Sequence, residues 1–215
     1  MLHNLKTISY AKISTHDCHV ISGLIHGQTN YEQGMQKAFE LWRTNPSEAA
    51  NVFERIAAAE KDNWLPSYYA AQVNISSSFG EQDKEKLTAQ LAKAHDLVND
   101  AKSISPNNPE IMVLEAMMHT AWVAYDGNAY GMKLSPIIAG LYSKAVIIAP
   151  ENPRVVLGKA EWDMGSARFF GQDTAPFCKD IKRSLDLFAN FKPESPFHPN
   201  WGKDRAEQAQ AQCNQ

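Results

Sequence analysis

A chain of 215 residues is long enough to bury a sizeable core, and 44% apolar with 21% charged residues is the composition of a folded globular protein. A net charge of −3, with no Lys/Arg run beyond Lys84-Glu85-Lys86 and Lys182-Arg183, argues against a nucleic-acid or anionic-membrane surface, which needs a concentrated basic face. Three widely spaced cysteines, Cys18, Cys178 and Cys213, with no C-x-x-C, read as buried or idle thiols rather than as a disulfide framework or a zinc ribbon.

Residues 1–28 form the least ordered reading. Lys6 and Lys12 are basic, but the best apolar stretch, Val20-Ile-Ser-Gly-Leu-Ile25, is too short and broken for an export signal. No apolar run approaches the ~18–20 residues that a membrane span needs. His16, Cys18, His19 and His26 are metal-binding residue types. Without a second ligand pair their spacing has no tetrahedral logic, so no metal site and no cofactor is expected, and a poorly structured segment is.

The first helix is expected at Thr29, where Glu32 completes a capping box. Tyr31, Met35, Ala38, Phe39 and Trp42 then fall on one stripe. Asn45 as N-cap and Pro46 at the first helical position open a second helix, with Ala49, Val52, Phe53, Ile56 and Ala57 as its stripe. So short a connection makes the two helices an antiparallel hairpin over 29–63. A second hairpin is read over 64–106, with Leu87, Leu91, Ala94, Leu97, Val98 and Ala101 inside. A third occupies 109–150. It has a longer loop at Asp126-Gly-Asn-Ala-Tyr-Gly131, and its second helix starts near Ser135-Pro136. The fourth, 153–191, breaks near Gly171 and resumes at Thr174-Ala-Pro176, with Ile181, Leu185 and Phe188 inward. Residues 192–215 read as a C-terminal cap or tail in which Trp201 anchors a polar stretch onto the last hairpin. No strand-like alternation persists.

Within this order a segment repeats. Ala101-Lys-Ser-Ile-Ser-Pro106-Asn-Asn-Pro109-Glu returns as Ala145-Val-Ile-Ile-Ala-Pro150-Glu-Asn-Pro153-Arg, an offset of 145 − 101 = 44 residues. A helix that ends in a P-x-N-P turn and feeds another helix is being reused, the mark of a helical solenoid. Ala71, Ala116 and Ala160 in the leading helices, Phe53 with Ile56, Val98 with Ala101 and Tyr142 with Ala145 in the following ones, and the closing Pro106 and Pro150, resemble the tetratricopeptide repeat (TPR) pattern. The resemblance covers about 29–191, with a longer repeat and without the Trp-x-x-Leu-Gly signature. The sequence around Ala160-Glu-Trp162-Asp-Met-Gly-Ser is also similar to a group of helical-repeat proteins from Bacteroidetes-type bacteria.

The resemblance implies an all-α, right-handed α-α superhelix of about four hairpins plus a C-terminal cap. It implies a non-enzymatic scaffold whose concave groove takes a protein or peptide partner. Groove positions would be Tyr68, Gln72, Val113, Met117, Leu157 and Glu161, mainly apolar and acidic, which suits an apolar or helical partner segment rather than a free carboxylate. Members of the bacterial group carry an export signal just before the position of Gln28, so export is the alternative to the cytoplasmic reading of residues 1–27. His119 reads as a core histidine. Glu115, Glu161 and Asp163 read as groove or solvated carboxylates, and the five tryptophans as packing residues. Gly127, Gly131 and Gly140 read as turn and packing glycines. No nucleophile elbow, zincin motif or phosphate loop is present. The competing class is a metal-dependent protein or enzyme using the His/Cys-containing N-terminal segment or the Asp126–Gly131 loop; a structural envelope-associated protein is a further one.

Overall fold

The computed structural model describes the backbone of residues 17–213 and the side chains of residues 30–213. The described residues are helical and contain no strand. The elements are α1 (Asp17–Trp42), α2 (Pro46–Ala59), α3 (Trp64–Ser78), α4 (Lys84–Ile104), α5 (Pro109–Tyr125), α6 (Gly127–Ile148), α7 (Pro153–Phe169), a 3-10 turn (Ala175–Phe177), α8 (Cys178–Asn190) and α9 (Lys203–Cys213).

Side-chain caps start most of these helices. Asn45, Asn63, Asp83, Asn108 and Asn152 each accept a hydrogen bond from a backbone N–H of the first turn, satisfying donors that have no partner within the helix. Proline at the first helical position of α2, α5 and α7 presets the backbone angle. The 44-residue repeat is visible here: α5 and α7 are both 17 residues long, each opened by an Asn-Pro pair.

Two boundaries differ from the sequence expectation. α1 begins at Asp17, so Thr29 lies inside it and does not cap it. No proline interrupts 17–29, and extending a helix already anchored by packing adds one hydrogen bond per residue fixed. The side chains of Cys18, His19 and His26, and all of His16, lie outside the described residues. The expected Asp126–Gly131 loop is absent. Asp126 alone closes α5, its N–H donating to the Trp122 carbonyl, and opens α6, its carboxylate accepting from the Ala129 N–H. α6 therefore runs through Gly131 and Pro136. It is the described helix whose length and apolar content match a membrane span, where no such run was expected.

Each helix packs on the next in sequence. In addition α3 packs on α5 and α5 on α7, so the helices that lead successive pairs share one layer. Phe53, Tyr68, Ile75, Leu87, Leu91, Ile111, Leu114 and Ile138 fill the main core at 2% exposure or less. A smaller core joins Leu157, Ala160 and Met164 of α7 to Ile181 of α8 and to Ala206 and Ala209 of α9. Cys178 and Cys213 form a disulfide across α8 and α9, correcting the reading of these thiols as idle.

The C-terminal segment does not cap the last pair alone. Its course from Phe191 to Trp201 crosses α3, α5 and α7 near their N-terminal ends and the C-terminal half of α1. The Tyr69 hydroxyl donates to the Phe197 carbonyl, and the Trp201 indole N–H donates to the Tyr68 hydroxyl, both at 2.8 Å. Phe197 meets Tyr31 and Phe39 of α1, and Arg154 of α7 lies 4.3 Å from the Phe191 ring centre. Beneath this strap, Glu110 and Arg154, the same position of successive repeats, form a two-point ion pair with both contacts at 2.7 Å. Their side chains are 2% and 0% exposed. Asn152 adds an amide N–H to the Glu110 carboxylate at 2.5 Å.

Candidate functional site

Where the strap ends, a cavity begins. It has a volume of about 840 Å³ and lies between the C-terminal halves of α5 and α7 and the first two-thirds of α6. One side-chain pattern carves it. Gly127, Gly131, Ser135 and Ala139 stand at four-residue steps along α6, so one face of that helix is almost bare. α7 answers with Gly158, Gly165 and Ser166. A Cβ added at Gly131 or Gly165 would meet nothing within 4 Å, so both glycines open directly onto the space.

The remaining lining is mainly apolar and aromatic. Met117, Thr120, Val123 and Ala124 of α5 form the floor, Trp162 and Phe169 of α7 one wall, and Met132 and Pro136 of α6 the other, with Phe79 and Phe170 at the mouth. Several of these apolar groups face solvent: Met132 is 94% exposed, Phe170 71% and Phe169 67%. Large apolar side chains left in water around a concave apolar surface are the signature of a binding site rather than of a core.

Tyr142 fills one end. Its ring seats on Gly158, where a Cβ would lie 2.7 Å from Cε1 and 2.9 Å from the hydroxyl oxygen. Burial pushes the Tyr142 hydroxyl well above the usual phenol range. Among the described residues, two charged side chains line the cavity, Glu161 of α7 and Arg205 of α9. The Arg205 Nε–H donates to Glu161 Oε1 at 2.8 Å, and Nη2 stands 2.7 Å from Oε2. Desolvation holds the Glu161 carboxyl above the ordinary range, with Arg205 opposing. Neighbouring Lys159 and Asp163 pair with each other one turn apart. Among the described residues no group of three or more His, Cys, Asp or Glu side chains is placed to hold a metal ion.

Of the six residues expected to line a groove, Met117 and Glu161 line this cavity. The other four are interior: Tyr68 is 0% exposed, Gln72 5%, Val113 1% and Leu157 1%. The inner face on which they were placed is taken up by neighbouring leading helices, and at Tyr68 by the chain's own strap. His119 is half-buried, and desolvation lowers its pKa below the usual imidazole range. Sequence reasoning read Gly131 as a turn or packing glycine and Trp162 as a packing residue, and passed over Gly165 and Arg205. The signal available for the two glycines was the small-residue stripe at four-residue spacing. For Arg205 there was none, because α9 reaches the cavity only through tertiary packing.

No family model matches the chain, and no curated protein sequence does. Among solved structures, the HusA haemophore from Porphyromonas gingivalis matches with a TM-score of 0.74 at 23% identity, over 85% of this chain and 91% of that one. The likeness establishes a shared helical fold. It also overturns the reading of this chain as a TPR protein and as a partner-binding TPR scaffold: no family model supports that assignment, and the solved fold that matches belongs to a haemophore. Pairs of helices with small residues at their crossings satisfy the same packing rules in unrelated families, which is why the local pattern misled.

Proposed function

We propose that this protein binds and carries a flat, largely apolar ligand of the tetrapyrrole class in the cavity between α5, α6 and α7, without transforming it. The observation that carries the reading is the bare α6 face opposite Trp162, Phe169 and Phe170, which leaves a slot lined by rings and thioethers. Aromatic and methionine side chains pack well against a conjugated plane. That the solved structure sharing this fold is a haemophore supports choosing the tetrapyrrole class among flat apolar ligands. The residues fit such a group: the faces of the ring would meet Trp162 and the α6 stripe, its edge acids would meet Arg205, and Met117 and Met132 would add thioether contacts. The lining offers chiefly apolar and aromatic contact to such a ligand.

The stacking of α3, α5 and α7 is consistent with a superhelical course for the paired helices, with the strap laid across α3. A disulfide suits an oxidising compartment, which favours export over the cytosol.

The test is a titration with haemin and with protoporphyrin IX, read by porphyrin absorbance and tryptophan quenching, on the wild type and on Gly131→Leu and Gly165→Leu. Both glycines are helical and an added Cβ meets nothing within 4 Å, so the leucines extend into the slot and improve helix propensity by up to about 1 kcal/mol each. Loss of porphyrin binding with unchanged or raised stability supports the slot. Undiminished binding by both variants refutes it.

A further inference from the structure

The ion pair at the end of the slot joins residues that lie far apart in the chain. Arg205 comes from α9, 44 residues from Glu161 and 88 from Met117, and is the one cation among the described side chains that line the cavity. Its position is fixed from behind: Ala206 and Ala209 bury α9 in the smaller core, and the Cys178–Cys213 disulfide ties its end to α8. The guanidinium presents one edge to Glu161. The acceptor nearest its Nη1 in the cavity is the Met117 sulfur at 4.0 Å, a weak one. The Arg205 side chain is still 44% exposed, so an incoming group can reach it. Glu161 is mostly buried beside it, and its carboxyl is held above the ordinary range by desolvation.

We propose that Arg205 is the anchor for a carboxylate on the edge of the ligand, and that Glu161 occupies the guanidinium only until that carboxylate arrives. This rests on the ligand reading above and narrows it to apolar ligands that carry an acid at one edge. A guanidinium fork matches a carboxylate at two points, so a ligand acid takes the place of Glu161 in kind, leaving Glu161 free to pick up a proton or turn to solvent. An apolar ligand without an acid fills the slot but gains nothing from Arg205.

The experiment compares protoporphyrin IX with its dimethyl ester, each added from dimethyl sulfoxide, on the disulfide-intact wild type, Arg205→Met and Glu161→Gln. Tryptophan quenching reports binding, and circular dichroism checks the fold. The wild type is expected to bind the diacid about tenfold more tightly than the ester, the range of one charge-assisted contact. Arg205→Met should abolish that preference by weakening the diacid alone. Glu161→Gln should increase it severalfold, because the guanidinium no longer has a resident anion. Equal loss of both ligands in Arg205→Met, or equal binding of diacid and ester by the wild type, overturns the anchor while leaving the slot intact. Failure of the wild type to bind either ligand overturns both readings.

Discussion

Replacing Glu110 with glutamine keeps the shape of the side chain and removes its charge beneath the strap. Arg154 is 0% exposed and cannot turn to water, and both of its close carboxylate contacts are to Glu110. A buried guanidinium left without its counter-ion costs about 3–5 kcal/mol. The amide introduced by Glu110→Gln keeps one acceptor oxygen but sets an N–H₂ against an N–H donor, so the cost is expected near the lower end, about 3 kcal/mol. For a chain of this size that corresponds to a fall in Tm of about 10 °C. The strap should loosen first, because Arg154 also reaches the Trp201 carbonyl at 3.5 Å and stacks on Phe191. Urea unfolding followed by circular dichroism gives the free energy, and tryptophan emission reports the strap through Trp201 and Trp64. The double change Glu110→Leu with Arg154→Met removes both charges at similar volume and should return to within about 1 kcal/mol of the wild type. If Glu110→Gln alone stays within about 1 kcal/mol of the wild type, the pair is not sealed from water and the account of the strap fails.

Three further outcomes follow from the same geometry. Reducing the Cys178–Cys213 disulfide, or replacing both residues with serine, frees a loop of 35 residues; the chain-entropy estimate for such a loop is about 4 kcal/mol of stability, measurable by urea unfolding with and without reductant. Because that bond holds α9, diacid porphyrin affinity should fall more than ester affinity in the same samples. Gly158→Ala places a methyl within 3 Å of the Tyr142 ring and should cost about 1–3 kcal/mol, whereas a thermal melt indistinguishable from the wild type's would mean that Tyr142 has room to move. Glu161 has a folded pKa raised above its unfolded value. Between those two values the folded chain holds the extra proton, so this residue makes stability decline as pH rises out of the ordinary carboxylate range. A pH series of urea midpoints should show that decline in the wild type and not in Glu161→Gln; parallel curves would contradict it.

The helices were legible where local chemistry alone decides. Asn45-Pro46, Asn108-Pro109 and Asn152-Pro153 start helices because an amide side chain satisfies free N–H groups and proline needs no donor, whatever surrounds them. The loop at Asp126 was misjudged because glycines at 127 and 131 signal a turn in isolation. In the fold the same glycines are helical and clear a cavity. The pairing of Cys178 with Cys213 left no trace in spacing, since an odd cysteine count gives no preferred partner.

Periodicity thus determined that this chain is all-helical and where most helices begin, because those outcomes depend on neighbours three and four residues away. Which faces stay open is a different question, settled by contacts between residues far apart in the chain. Trp201 reaching Tyr68 removes one surface from solvent, and Arg205 reaching Glu161 gives the other its charge. A side chain on an apolar stripe knows that it will be buried or will line a slot, but only the arrival of the distant segment chooses between them.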